Sequence, residues 1–219
     1  MAYDSSLYRL PDPNVDPNAP GFTMAGYRDV SVGTKNRLNT GSSISVSFKG
    51  NYWEISIAYP ELDEAEARYL APKLSYISNG FKPIYLQLPQ FIHPAAGEWD
   101  ESSSTLIAQG SISLKAGTSD TLSVPYWSTR GGNLTAGDMI KFTNSSKIYQ
   151  VVDIAVDGSD IASIVLNCDV IEPEKLPTCG FELNDLKFRV KLKEGVPMMN
   201  LTSRLVYDST NLMFEEDLA

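Results

Sequence analysis

Hydrophobic and polar positions alternate through much of the chain. Ile44, Val46 and Phe48 alternate with Ser43, Ser45 and Ser47, the two-residue period of a strand with one buried face. Trp53, Ile55, Ile57 and Tyr59 share a second such face, against Tyr52, Glu54, Ser56 and Ala58. Gly50-Asn51 lies between the two runs and suits a tight turn, so they are expected to pair as a hairpin. The period then changes. Leu62, Tyr69, Leu70, Leu74 and Ile77 recur at helical spacing, with Asp63 placed to cap the first turn and Glu66 to complete a capping box. Pro72 is expected to kink or split this helix, and Asn79-Gly80 to end it. Ile84, Leu86 and Leu88 return to strand spacing.

From about Phe91 to Cys179 the chain is rich in Ser, Thr and Gly. Short strands are expected at 112–114, 122–124, 139–142, 147–152 and 161–166, separated by turn signals such as Asp157-Gly158. Such spacing predicts a small barrel or sandwich, inserted as a second domain into the first. Beyond it, Leu186, Phe188, Val190 and Leu192 alternate with Lys187, Arg189, Lys191 and Lys193. Two readings fit four cations on one strand face. The plainer is a solvated face protecting a sheet edge from mispairing; the sharper is contact with an acidic partner or sister subunit. Residues 203–208 read as the last strand, and 214–219 as an acidic tail.

Composition narrows the function classes. The net charge of −9 repels phosphate backbones, so no specific nucleic-acid partner is expected. No apolar run is long enough to span a bilayer, and no secretory signal is visible, so the expected setting is a cytoplasm without membrane attachment. Cys168 and Cys179 are too few for a disulfide framework or structural zinc, and two free thiols are the favoured reading over a bridge. Residues 11–21 contain four prolines, among them Pro11 and Pro13, and predict an extended arm. It is either a loose terminus or an arm lying on a neighbouring subunit.

Candidate chemistry is sparse. The single histidine, His93, has no evident nucleophile, and the common nucleotide, hydrolase and metal motifs are missing. No cofactor is expected. Glu54 with Asp100 or Glu101 would make a conceivable carboxylate pair, which spacing can neither support nor refute. The acids Glu61, Asp63, Glu64 and Glu66 read as a helix start complementing its dipole rather than a metal site. Asp153, Asp157 and Asp160 read as turn residues. Trp99, Tyr126 and Trp127 could form a saccharide-stacking platform, with core or interface packing the plainer alternative. The inventory argues against an enzyme.

Several stretches, taken in order, resemble the distal tail proteins of T-five-like long-tailed bacteriophages. They are YRLPDP (8–13) with Pro20-Gly21, YWEISIAYPEL (52–62), LQLPQ (86–90), AGDMIK (136–141) and KIYQ (147–150). The resemblance implies a mainly β fold with one helix. A tail-tube-like ring domain would span residues 1–90 and 180–219, with an inserted barrel of the oligonucleotide/oligosaccharide-binding type at 91–179. It further implies a homohexameric ring at the distal end of the virion tail, partnered by the tail tube protein and by a tail tip or baseplate hub protein. The alternative is a barrel that recognises a host surface saccharide. No catalytic residue carries over from the family.

Overall fold

The computed structural model describes residues 8–10, 19–37, 43–47, 50–79, 81–96, 112–128, 134–196 and 199–218. In chain order, the first elements are β1 (Tyr8–Arg9), β2 (Met24–Val30), β3 (Gly33–Arg37), β4 (Ser43–Ser47), β5 (Tyr52–Tyr59), α1 (Glu64–Ser78) and β6 (Ile84–Gln87). Next come β7 (Ser113–Leu114), β8 (Thr121–Pro125), β9 (Met139–Phe142), β10 (Ile148–Val156), β11 (Ile161–Leu166) and β12 (Phe181–Glu182). The chain closes with β13 (Lys187–Leu192) and β14 (Thr210–Glu216). The fold is mainly β, with α1 the one α-helix among the described residues. Two compact units form: residues 1–3, 31–51 and 87–187, and residues 4–30, 52–86 and 188–219.

The second unit is built on a six-stranded sheet of order β1-β6-β13-β14-β5-β2. On one face of its central strands lie Trp53, Ile55, Ile57, Tyr59, Leu212, Phe214, Phe188 and Val190, each no more than 1% exposed. Helix α1 buries Ala67, Leu70, Leu74 and Ile77 within the same unit. Its start is as expected: Asp63 accepts from the Glu66 N–H at 2.8 Å, and Glu66 accepts from the Asp63 N–H at 3.0 Å. Pro72 does not divide the helix, which runs unbroken through it. Proline removes one N–H and crowds one turn, but Pro72 is exposed while the buried stripe continues on both sides of it.

The expected hairpin between β4 and β5 does not form. β4 pairs with β3, and β5 lies between β2 and β14. A turn signal such as Gly50-Asn51 is local, whereas the neighbours of β5 are chosen by its apolar face. Leu212 and Phe214 of β14 meet Ile57 and Ile55 in register and cover that face; Phe48 lies outside the described residues. The last strand is also displaced. Residues 203–205 form a turn, in which Leu205 has a left-handed φ of 61° that interrupts extended backbone, and of the expected strand only Tyr207 makes β-bridges. Thr210–Glu216 is instead an interior strand, so residues 214–216, the first half of the expected acidic tail, are β structure.

In the other unit, β12-β9-β10-β11-β8-β7 form one antiparallel sheet. β10 links its two halves: residues 148–150 pair with β9 and residues 151–156 with β11, across a register shift between Val151 and Asp153. A bulge of this kind bends a strand and sharpens its twist. This unit has an apolar core that includes Leu122, Val124, Trp127, Ile140, Phe142, Tyr149 and Ile164. Asp157 closes the β10–β11 turn by accepting the N–H groups of Ser159 (2.8 Å) and Ile161 (3.0 Å). Asp160 adopts a left-handed φ of 60° beside it, so both are turn residues, as the sequence indicated. Both cysteines are free thiols. Cys179 is buried and its thiol pKa is pushed up to about 11 by desolvation, so it is a packing residue and not a nucleophile.

Candidate functional site

The basic strand is the most concentrated polar chemistry among the described residues, and its surroundings decide what it can do. β13 is not an edge: β6 lies on one side and β14 on the other. Its cations therefore protect no free edge, which corrects the plainer sequence reading. They are met by carboxylates from neighbouring strands. Asp217, just past β14 and 7% exposed, takes Arg189 at 3.0 Å and Lys191 at 2.6 Å, and its N–H donates to the Arg189 carbonyl at 2.8 Å. Lys193 reaches over β14 to Glu54 on β5, and Arg28 on β2 donates to the same carboxylate at 2.6 Å. Strand register explains the convergence. Arg28, Glu54, Glu215 and Lys191 lie in one cross-strand row, cation–acid–acid–cation. Lys187 sits half-buried at the start of the same strand.

Glu54 is only 2% exposed and holds both Arg28 and Lys193. The Lys193 ammonium holds its carboxyl below the ordinary value of 4.5, with Arg28 acting in the same direction and desolvation opposing. The Lys193 ammonium is correspondingly held above its ordinary 10.5, chiefly by Glu54. The two shifts bound a pH window. A depressed carboxyl stabilises the fold above 4.5, and that contribution disappears as pH falls through its lower folded value. A raised ammonium contributes below 10.5 and is lost as pH rises through its higher folded value. Glu54→Gln is therefore expected to flatten the acid limb of a stability–pH curve, and to leave less for added salt to screen. An acid limb unchanged from the parent would show that this cluster is not coupled to folding.

A carboxylate held by two cations is a poor nucleophile or base, so Glu54 is not available for acid–base chemistry; Asp100 and Glu101 lie outside the described residues. His93 lines a cleft of about 280 Å3 with Gln90, Pro94, Asp138 and Met139. Asp138 is 5% exposed and already saturated: it accepts the Ala95 N–H at 2.7 Å, the Thr135 N–H at 2.7 Å and the Thr135 hydroxyl at 3.1 Å. It pins the chain where residues 94–95 approach the start of β9 and does not activate the histidine. No cluster of three metal-ligating side chains occurs among the described residues.

Tyr126 and Trp127 do not share a surface. Trp127 is in the apolar core of its unit, and Tyr126 is exposed at a residue with φ 57°. Trp99, Pro11 and Pro13 lie outside the described residues. The sequence places the cations on one strand face, in line with the alternating burial of Lys187–Leu192, but gives no direct sign that Glu54 and Asp217 engage them. One indirect signal is present: four alternating cations on a buried strand require counter-charges, and 215–217 is the nearest acidic run downstream.

Comparison with known proteins points to a class of protein. The family model of distal tail protein pb9, A domain, N-terminal part, matches residues 10–91. Distal tail protein pb9 of Escherichia phage T5 is 27% identical over 217 residues, covering 96% of this chain and 100% of its own length. The chain is thus similar over nearly its whole length to a bacteriophage distal tail protein, a likeness that supports a structural role in a phage tail.

Proposed function

We propose that the chain forms a homohexameric ring at the distal end of the tail, joining the tail tube protein to the tail tip or baseplate hub protein. The observation that carries this is the collinear similarity to a distal tail protein over nearly the whole length of both chains. The charge supports it: an annulus of subunits each carrying −9 would not retain DNA passing through its lumen. The internal ion pairs add a restriction. Arg189, Lys191 and Lys193 already hold carboxylates, so the basic strand stiffens the sheet and is not the main subunit contact. The barrel unit, in this proposal of the oligonucleotide/oligosaccharide-binding type, faces outward from the ring. No catalytic step belongs to this function.

The test is the mass of the purified full chain. The expected species has six times the 24.1 kDa of one chain, with six-fold rings in negative-stain images. A chain that stays monomeric at the highest soluble concentration, with no ring in the presence of tail tubes, would overturn the proposal.

A further inference from the structure

The two ends of α1 carry unlike surfaces. No acidic residue occurs between Glu66 and Glu98, in a chain with 27 of them. Over the C-terminal half of the helix, Lys73 lies 3.3 Å from the Tyr69 ring centroid and Lys82 lies 3.7 Å from that of Tyr76. Neither lysine has a carboxylate partner among the described residues. Tyr76 is 51% exposed, and Phe81 just beyond the helix is 52% exposed. Phe81 has a φ of 49°, in the left-handed region that bulky residues rarely occupy, and this backbone holds an apolar ring in water.

At the opposite end, an antiparallel bridge joins Leu62 to Tyr207 through hydrogen bonds of 3.1 and 2.8 Å. Glu61 and Asp208 adjoin that bridge on its two segments, both exposed and neither in an ion pair among the described residues. Like charges on paired segments repel. The adjoining turn presents Leu201 and Leu205, 55% and 73% exposed, and Leu205 is also left-handed, with φ 61°. The other charges here are Asp63 and Glu66 in the capping box, Glu64 paired with Arg68 at 2.6 Å, and exposed Arg204 on the turn. Helix-dipole complementarity accounts for the acids of the first turn. It does not account for Glu61 and Asp208 beside that bridge, or for two bulky apolar residues held outward at opposite ends of one helix.

We infer that these patches meet between copies: the basic aromatic end of α1 in one subunit docks on the acidic leucine turn of the next. The inference rests on the ring reading above and names its contact. Opposite charge and exposed apolar side chains match the two patches to each other, and lysines from one copy would relieve the Glu61–Asp208 repulsion in its neighbour. A two-fold contact could satisfy both patches only reciprocally and would stop at a dimer, whereas the heterologous pairing propagates head to tail and closes into a ring; the ring reading selects the second. The patches are separated by a helix of 15 residues, about 22 Å at 1.5 Å per residue, so one subunit can engage two neighbours at once.

Cysteines placed at Phe81 and Leu205 of the full chain test the contact. Mild oxidation of assembled F81C/L205C is expected to give a covalent ladder from dimer to hexamer, while F81C and L205C alone give no more than the parent chain. Charge reversal supplies an independent measure. K73E/K82E and E61K/D208K should each weaken assembly at least about tenfold, and combining all four should restore it to within about threefold. Rings of normal mass that neither ladder nor respond to reversal would overturn this contact and leave the ring standing. A parent chain that never assembles would remove the ring and the contact together.

Discussion

Phe214→Ala is expected to destabilise the second unit by about 4 kcal/mol, within the range of roughly 3–5 for truncating a buried phenylalanine. Phe214 is fully buried in β14, in register with Ile55 on one side and Leu192 on the other. Removing its ring opens a cavity between three strands, and none of them can close it without breaking its own pairing. The contrast residues are Met213 and Glu215, which point to the other face and are only half-buried. Their replacement by alanine should cost much less, about 0.5 kcal/mol for Met213. A flexible acidic tail would make all three substitutions neutral. Denaturant unfolding followed by hydrogen exchange of the β5 and β14 amides measures this. Exchange must be read by segment, because a chain with two compact units need not unfold in one transition.

Asp138→Ala should cost about 2–3 kcal/mol, this time in the unit that holds the barrel sheet. Three donors converge on its carboxylate, the N–H groups of Ala95 and Thr135 and the Thr135 hydroxyl. Hydrogen bonds to a charged group contribute about 1.5–3 kcal/mol each where they are shielded. Ala95 and Thr135 are themselves exposed, so water recovers part of the loss. Asp138→Asn keeps one acceptor oxygen and should lose about half as much. Faster proteolysis between residues 89 and 96 would accompany the alanine variant, since the carboxylate is what fastens that stretch to β9. Unaltered stability and unaltered cleavage would show that the carboxylate is not a fastener.

The elements that sequence alone resolved are those coded by neighbours a few residues apart. Asp63 and Glu66 make a capping box with no help from the rest of the chain. Strands β8 to β11 announce themselves by alternation, and Asp157 with Gly158 by turn chemistry. Collinear motifs were also enough to point to the tail-protein family, because order and spacing survive where individual residues change. The neighbours of β5 were not readable in this way, since Gly50-Asn51 speaks only for local geometry while Leu212 and Phe214 lie far along the chain.

The basic strand shows the same division. Its pattern established by itself that one face is apolar and the other carries four cations. Only the tertiary structure decided that it is an interior strand, and that Glu54 and Asp217 stand across from those cations. Alternation has a period but no address: it fixes which side chains share a face, whereas sheet order and counter-charge depend on segments brought together by the common core.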